Sequence, residues 1–321
     1  MSVNSHRSTC VPHRPVFTLR AARPSDFVVP VLWGAFAAFL VGALVAIEVD
    51  RGLGIGLGVV VWALVVARAA RRPLRRLRAA GAALPEPSRR WLRDHVRLYG
   101  TLDDAGRARF ERDVALALGD LRYEGAGGVE PTAALRLAVA AGAALLLHGR
   151  PDWELPSERT VLFVPDTFDA AYGDEEEGVY DGMVHAQGPV VLSARAVERG
   201  WARDDGSNVV LHELAHLFDM DVDGADGLPS FLDARSADAW RALMHSEMRR
   251  AQRGDGVLRA YAGTAPAELF AVATEQFFER PARLRTRHPE LFEALVAFYA
   301  LTPPDEAERD GGGSLMARRW D

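Results

Sequence analysis

The sequence contains no lysine and only one cysteine, Cys10. A single thiol cannot close a disulfide within the chain or supply a cysteine-rich zinc ribbon, so both frameworks are excluded. All 38 basic side chains are therefore arginine, a bias of composition rather than a sign of particular chemistry. Hydrophobic residues make up 49% of the 321 and charged residues 26%, which rules out a wholly disordered chain, a collagen and a coiled coil. There is no internal repeat. The net charge of −6 hides an asymmetry: residues 1–80 carry 11 arginines against three acids, so the remainder carries 27 arginines against 41 acids. A folded part this acidic argues against nucleic acid as its partner.

The basic end flanks two uncharged apolar runs, residues 27–47 and 52–67, separated by Glu48-Val49-Asp50-Arg51. At 1.5 Å per residue they span roughly 31 Å and 24 Å as helices. The first suffices for a bilayer core, and the second does once it runs on past Arg68, which can snorkel to the interface. So short a connection makes the pair an antiparallel hairpin. Four arginines precede the first run, six follow the second between Arg68 and Arg78, and one lies between them, so the positive-inside rule places both ends in the cytoplasm. The six can also lie against anionic lipid headgroups. A cleaved signal peptide fits worse, because the apolar stretch is long and starts late. The alternating glycines of 52–58 lack the strand and crossover helix of a nucleotide loop. Gly54 and Gly58 suit a small-residue packing face against the first helix.

Beyond residue 84 the pattern is mixed α and β. Helices are expected over 88–98, 102–121, 131–147, 208–220, 234–253, 266–279 and 288–300, from apolar residues recurring at steps of three and four. Short apolar runs at 160–164 and 189–192, bounded by turn residues, read as strands. The second of these is the expected pairing edge for an extended substrate. The acidic run 174–177 reads as a solvated loop.

The strongest chemical signal is His212-Glu213-Leu214-Ala215-His216. On a helix the two histidines are one turn apart and can bind one metal ion, while Glu213 beside them can act as general base toward water that the metal acidifies. Asn208 is well suited to cap that helix. A catalytic zinc needs a third protein ligand. The extended pattern with glycine and histidine further along fails, since those positions are Asp219 and Val222. Asp219, Glu247, Glu268 and Glu275 remain as candidates, and the last two share one predicted helix. The run Asp219–Gly224 imitates a calcium loop but has Ser230 where the loop needs glutamate. An intramembrane protease is excluded because the motif's helix is short and far from both apolar runs. The remaining histidines of this part, among them His185, read as surface or core residues.

The run from Asn208 to Asp219 and the downstream block Tyr261-Ala262-Gly263-Thr264-Ala265-Pro266-Ala267-Glu268, with Glu275 following, resemble the Mlc titration factor A family of bacterial zinc metallopeptidases. The spacing from tyrosine to glutamate is also similar to that in the catalytic domain of anthrax lethal factor. The resemblance covers roughly residues 84–302. It implies an α+β zincin-like metallopeptidase domain with one Zn2+ held by His212, His216 and Glu268, with Glu213 as catalytic base. Tyr261 would steady the oxyanion, and Glu275 fits a supporting role. The hairpin is a departure from the soluble members of that family.

The expected organisation is a flexible basic N-terminus (1–26), a transmembrane hairpin (27–70, with spans 27–47 and 52–69), a basic juxtamembrane linker (71–83), the metallopeptidase domain (84–302) and a flexible tail (303–321). The expected function is a zinc peptidase anchored at the cytoplasmic face of a bacterial inner membrane, acting on a peptide or protein. The alternative is a zinc-containing binding protein that sequesters a transcriptional regulator with little or no hydrolysis.

Overall fold

A computed structural model describes residues 25–151, 153, 159–169, 179–184, 188–221, 224–225 and 234–306. They form two units, one within residues 20–83 and one from residue 84 onward.

The first unit is a helical pair, α1 (Ser25–Glu48) and α2 (Arg51–Gly81). Asp50 turns the chain between them and caps α2, its carboxylate accepting from the amides of Gly52 and Leu53 at 2.8 and 3.0 Å. Glycine lets the two backbones touch. A Cβ on Gly54 would lie 2.5 Å from the Gly42 carbonyl oxygen, and one on Gly58 would lie 2.9 Å from that of Ala38. The outward faces are apolar: Trp33, Phe39, Ile47 and Leu53 are all more than 60% exposed. Both helices are long and apolar enough to cross a membrane, by length and composition. The segment 71–83, expected as a linker, is helical to Gly81, because α2 continues through its arginines without a break at Pro73.

The second unit is an α+β domain. Helices α3 (Glu86–His95), α4 (Arg97–Thr101) and α5 (Asp104–Asp120) lead into strand β1 (Arg122–Gly125). Helix α6 (Ala133–Leu147) follows, buried on all sides from Leu137 to Leu147, as its alanine- and leucine-rich sequence requires. Next come β2 (Thr160–Val164), β3 (Phe168–Asp169), β4 (Val179–Tyr180), β5 (Gly182–Val184) and β6 (Val190–Ser193). Then follow α7 (Ala194–Ala202), α8 (Val209–Asp219) and a ribbon of β7 (Met220–Asp221) and β8 (Gly224–Ala225). The chain closes with α9 (Ala234–Gln252), a 3-10 turn (Ala260–Gly263), α10 (Pro266–Glu279), α11 (Pro281–Arg287) and α12 (Pro289–Tyr299).

The main sheet has the order β1-β2-β6-β5. The first three strands are parallel, and β5 runs antiparallel to β6 with Gly182 opposite Leu192. Strand β6 is thus paired on both sides, so it is not the substrate-pairing edge expected from the sequence; among the described residues the free edge beside it is β5. Helix α8 packs against α10, α6, α7 and β5. Its floor is an aromatic cluster in which Phe218 meets Phe298 and Tyr299 edge-on, and the buried Tyr299 hydroxyl shares a 2.8 Å hydrogen bond with Thr274. That packing fixes α8 and α10, the two helices that carry the site.

Candidate metal centre

The N-terminus of α8 is capped as its sequence suggests: Asn208 Oδ1 accepts from the amides of Val210 and Leu211 at 3.1 and 3.3 Å. One turn further on, His212 and His216 project from the same face with ring centroids 4.9 Å apart. Glu268 comes from the first turn of α10, where the proline at its start sets the helix direction. His212 Nε2 lies 3.1 Å from Glu268 Oε2, and His216 Nε2 lies 3.7 Å from Glu268 Oε1. All three ligand atoms fall within 4.8 Å of one another. Bonds of about 2.0–2.1 Å in a tetrahedral zinc site put neighbouring ligand atoms about 3.3 Å apart, so the observed spacing suits one ion.

The surroundings fit the same conclusion. Glu275 sits behind His212, with Oε1 2.8 Å from its Nδ1, which turns Nε2 toward Glu268 and the place for a metal. Glu275 is itself held by Arg259, at 2.5 and 3.3 Å, and by the Asn208 amide at 2.5 Å. Arg259 also donates to Ser207 Oγ at 2.7 Å. Burial alone would lower His212, but its hydrogen bonds to Glu268 and Glu275 outweigh burial and lift it to about 10. Burial and then the charge on His212 drop His216 to about 4. The two carboxylates thus hold the charged form of His212, while His216 stays neutral.

Glu213 lies next to the cluster and is 5% exposed. Burial pushes it up to about 8, with the charge on His212 opposing and those on Glu268 and Glu275 adding. Tyr261, on the 3-10 turn, is 44% exposed, with its ring centroid 6.2 Å from that of His212. Burial of its hydroxyl and the charge of Glu268 raise its pKa. These groups open onto a cleft of about 400 Å³ whose walls include Tyr180, Gly182, Arg199, Val209, Ser207 and Arg259.

The four candidates for a third ligand separate cleanly. Glu268 joins the histidines, while Glu275 is occupied behind them. Glu247 is committed elsewhere, 2.5 Å from His288 Nδ1 and 2.8 Å from Arg250. Asp219 closes α8. Among the other histidines, His95 bonds the Trp91 carbonyl oxygen at 2.8 Å, His148 meets Arg109 at 3.0 Å, and His245 is exposed. His185, Ser230 and the acidic run 174–177 lie outside the described residues. Two residues of the site escape a reading of the sequence. Arg259 carried no motif, although a lone cation two places before Tyr261 was a usable hint. Gly182 is part of a strand too short to show a period.

The profile of a family described as "Glucose-regulated metallo-peptidase M90" matches residues 69–300. An uncharacterised protein of Synechocystis sp. is 29% identical over 227 residues, covering 66% of this chain and 82% of that protein. Mlc titration factor A of Salmonella arizonae and that of Salmonella typhimurium are each 33% identical over 133 residues, or 39% of this chain. The match takes in 52% and 49% of those two proteins, so the chain spans about half the length of the titration factors it resembles.

Proposed function

The chain belongs to the glucose-regulated metallo-peptidase M90 family, and from that premise we propose that residues 84–302 are a zinc-dependent peptidase domain anchored at a bacterial inner membrane by residues 27–70. The observation that carries this reading is the His212, His216 and Glu268 cluster with Glu213 beside it, His212 and Glu213 lining a cleft. His212, His216 and Glu268 would hold the ion. When bound there, zinc polarises a carbonyl and acidifies water to a pKa of about 7. Glu213 takes the proton of the attacking water and returns it to the leaving amine. The Tyr261 hydroxyl donates to the oxyanion as charge develops, a role for which a phenol kept protonated is suited. Glu275 and Arg259 hold the His212 ring in one orientation.

An extended substrate would add to the free edge of β5. The Asp181 carbonyl accepts from the Ser193 amide at 2.8 Å, so the alternation of an antiparallel pair turns the Gly182 N–H and C=O away from β6, toward that edge.

A second reading is favoured by the relatives. Two of them are named for titrating Mlc, and titration requires capture rather than hydrolysis. On the comparisons alone, a zinc-containing protein that sequesters a transcriptional regulator is the better supported of the two.

One preparation of the full chain in detergent, beside its Glu213→Gln partner, separates them. Chelator-sensitive peptide cleavage that falls roughly 10²-fold or more in the partner, with zinc retained, supports the peptidase. Stoichiometric zinc without cleavage, and equal capture of a regulator by both proteins, supports sequestration and removes Glu213 from catalysis.

A further inference from the structure

Gly182 stands on the free-edge strand directly over the base. An ideal Cβ built there would lie 2.5 Å from Glu213 Oε1, 2.6 Å from Glu213 Cγ and 2.7 Å from Val209 Cγ2. The backbone does not demand glycine, because Gly182 is absent from the residues with positive φ. Space is therefore what the missing side chain provides. Two of the three close atoms belong to Glu213, and one of them is Cγ, near the root of the side chain, so turning the carboxylate alone cannot relieve the contact. Val209, one turn before Glu213 on α8, closes the other side.

Neither partner is free to withdraw. Strand β5 is laddered to β6 through three register pairs and the Ser193 amide to Asp181 carbonyl bond. Arg199 Nη2 adds a 2.7 Å ion pair to Asp181, the residue just before the strand, though an exposed pair holds less firmly than the ladder. Helix α8 is fixed by its packing on α10 and α6.

We propose that Gly182 is a positioning residue for the reaction: its bare Cα forms the seat on which the Glu213 carboxylate rests, and any side chain there displaces the base. The inference rests on the peptidase reading. It also makes the edge strand serve two ends at one residue, since the outward N–H and C=O of Gly182 face the place for substrate while its Cα faces the base.

The test uses the full chain in detergent with Gly182→Ala, Glu213→Ala and the double variant, and Met183→Ala as a control on the same strand. The probes are zinc content, an internally quenched peptide and a peptide hydroxamate. Gly182→Ala should keep zinc and a KM within threefold, yet lose kcat by roughly 10–100-fold, the scale of a misplaced catalytic group. In the Glu213→Ala background the added change should cost hydroxamate affinity less than threefold, because Cγ and the carboxylate, which supply two of the three close atoms, are gone. Equal losses of that affinity in both backgrounds, or loss of zinc in Gly182→Ala alone, would overturn the proposal. A crystal structure of Gly182→Ala decides it without turnover: the carboxylate should move, and a carboxylate at its original position refutes the seat. Should the parent chain bind zinc and cleave nothing, the peptidase reading fails separately, while the crystal structure and the non-additivity of hydroxamate affinity still judge Gly182.

Discussion

Two glutamates on α10 differ in what their oxygens have left to give. Both Glu275 oxygens are engaged, Oε1 by His212 Nδ1 and Arg259, Oε2 by the Asn208 amide and Arg259. Glu268 faces the Nε2 atoms of both histidines. A saturated carboxylate orients a ligand, and an available one is a ligand. Glu275→Ala should therefore weaken zinc by roughly 10–100-fold, the usual effect of removing an outer partner. Glu268→Ala should weaken it considerably more. Competition with a chelating dye measures both, and the reverse order would exchange their roles. Residue type and spacing narrowed the third ligand to four carboxylates, the family resemblance pointed to Glu268, and the tertiary contacts bring Glu268 to the two histidines.

At the scale of elements, α5 and α6 are joined through His148, the residue that caps α6. Arg109 on α5 donates from Nη2 both to His148 Nε2, at 3.0 Å, and to its carbonyl oxygen, at 3.1 Å. A guanidinium can only donate, so Nε2 must accept and the ring must be neutral. Burial, then the charge of Arg109, drops the His148 pKa to about 4 from 6.5. A histidine depressed in the folded state gives stability that is whole above the unfolded value and is lost as pH falls toward the folded one. Denaturant melts should thus lose stability between pH 6.5 and 4 more steeply in the wild type than in His148→Gln, whose amide oxygen can accept from Arg109 without titrating. Parallel slopes would mean that the His148 pKa is the same in the folded and unfolded chain, and the neutral junction would be refuted.

The helices were the legible part of the fold, because apolar steps of three and four survive in any context. Residues 266–279 were predicted as a helix and form α10 with those bounds, and the 160–164 run is β2. The edge strand was not legible. It has three residues, one a glycine, and its half-buried pattern carries no alternation. The sequence therefore favoured the more apolar β6 as the substrate edge, although strong hydrophobicity on both faces marks an interior strand. Helix α11 was missed for another reason: its seven residues are mostly arginine and polar, and a proline at its first residue and another two places past its end hide it in the sequence. Gly182 and Arg259 matter through what lies across from them, which no local pattern records.

For the molecule as a whole, the arginines make a testable prediction of the orientation that the hairpin length leaves open. Helix α2 has 31 residues, and at 1.5 Å each that is about 46 Å against a hydrocarbon core of about 30 Å. Its excess length holds Arg71, Arg72, Arg75, Arg76 and Arg78. These charges are costly inside the bilayer and favourable at an anionic cytoplasmic surface, so they should define the side on which α2 ends. The sequence before residue 27 carries four arginines of its own, whereas the connection between α1 and α2 has one beside Glu48 and Asp50. The expected topology has both termini in the cytoplasm, with the metal centre on that side. In intact cells a tag fused after Asp321 should resist external protease and become digestible once the inner membrane is opened. A tag placed at Val49, between the helices, should show the opposite behaviour in spheroplasts. Digestion of the C-terminal tag in intact spheroplasts would reverse the orientation, move the cleft to the outer face, and with it exclude a cytoplasmic regulator as the captured partner.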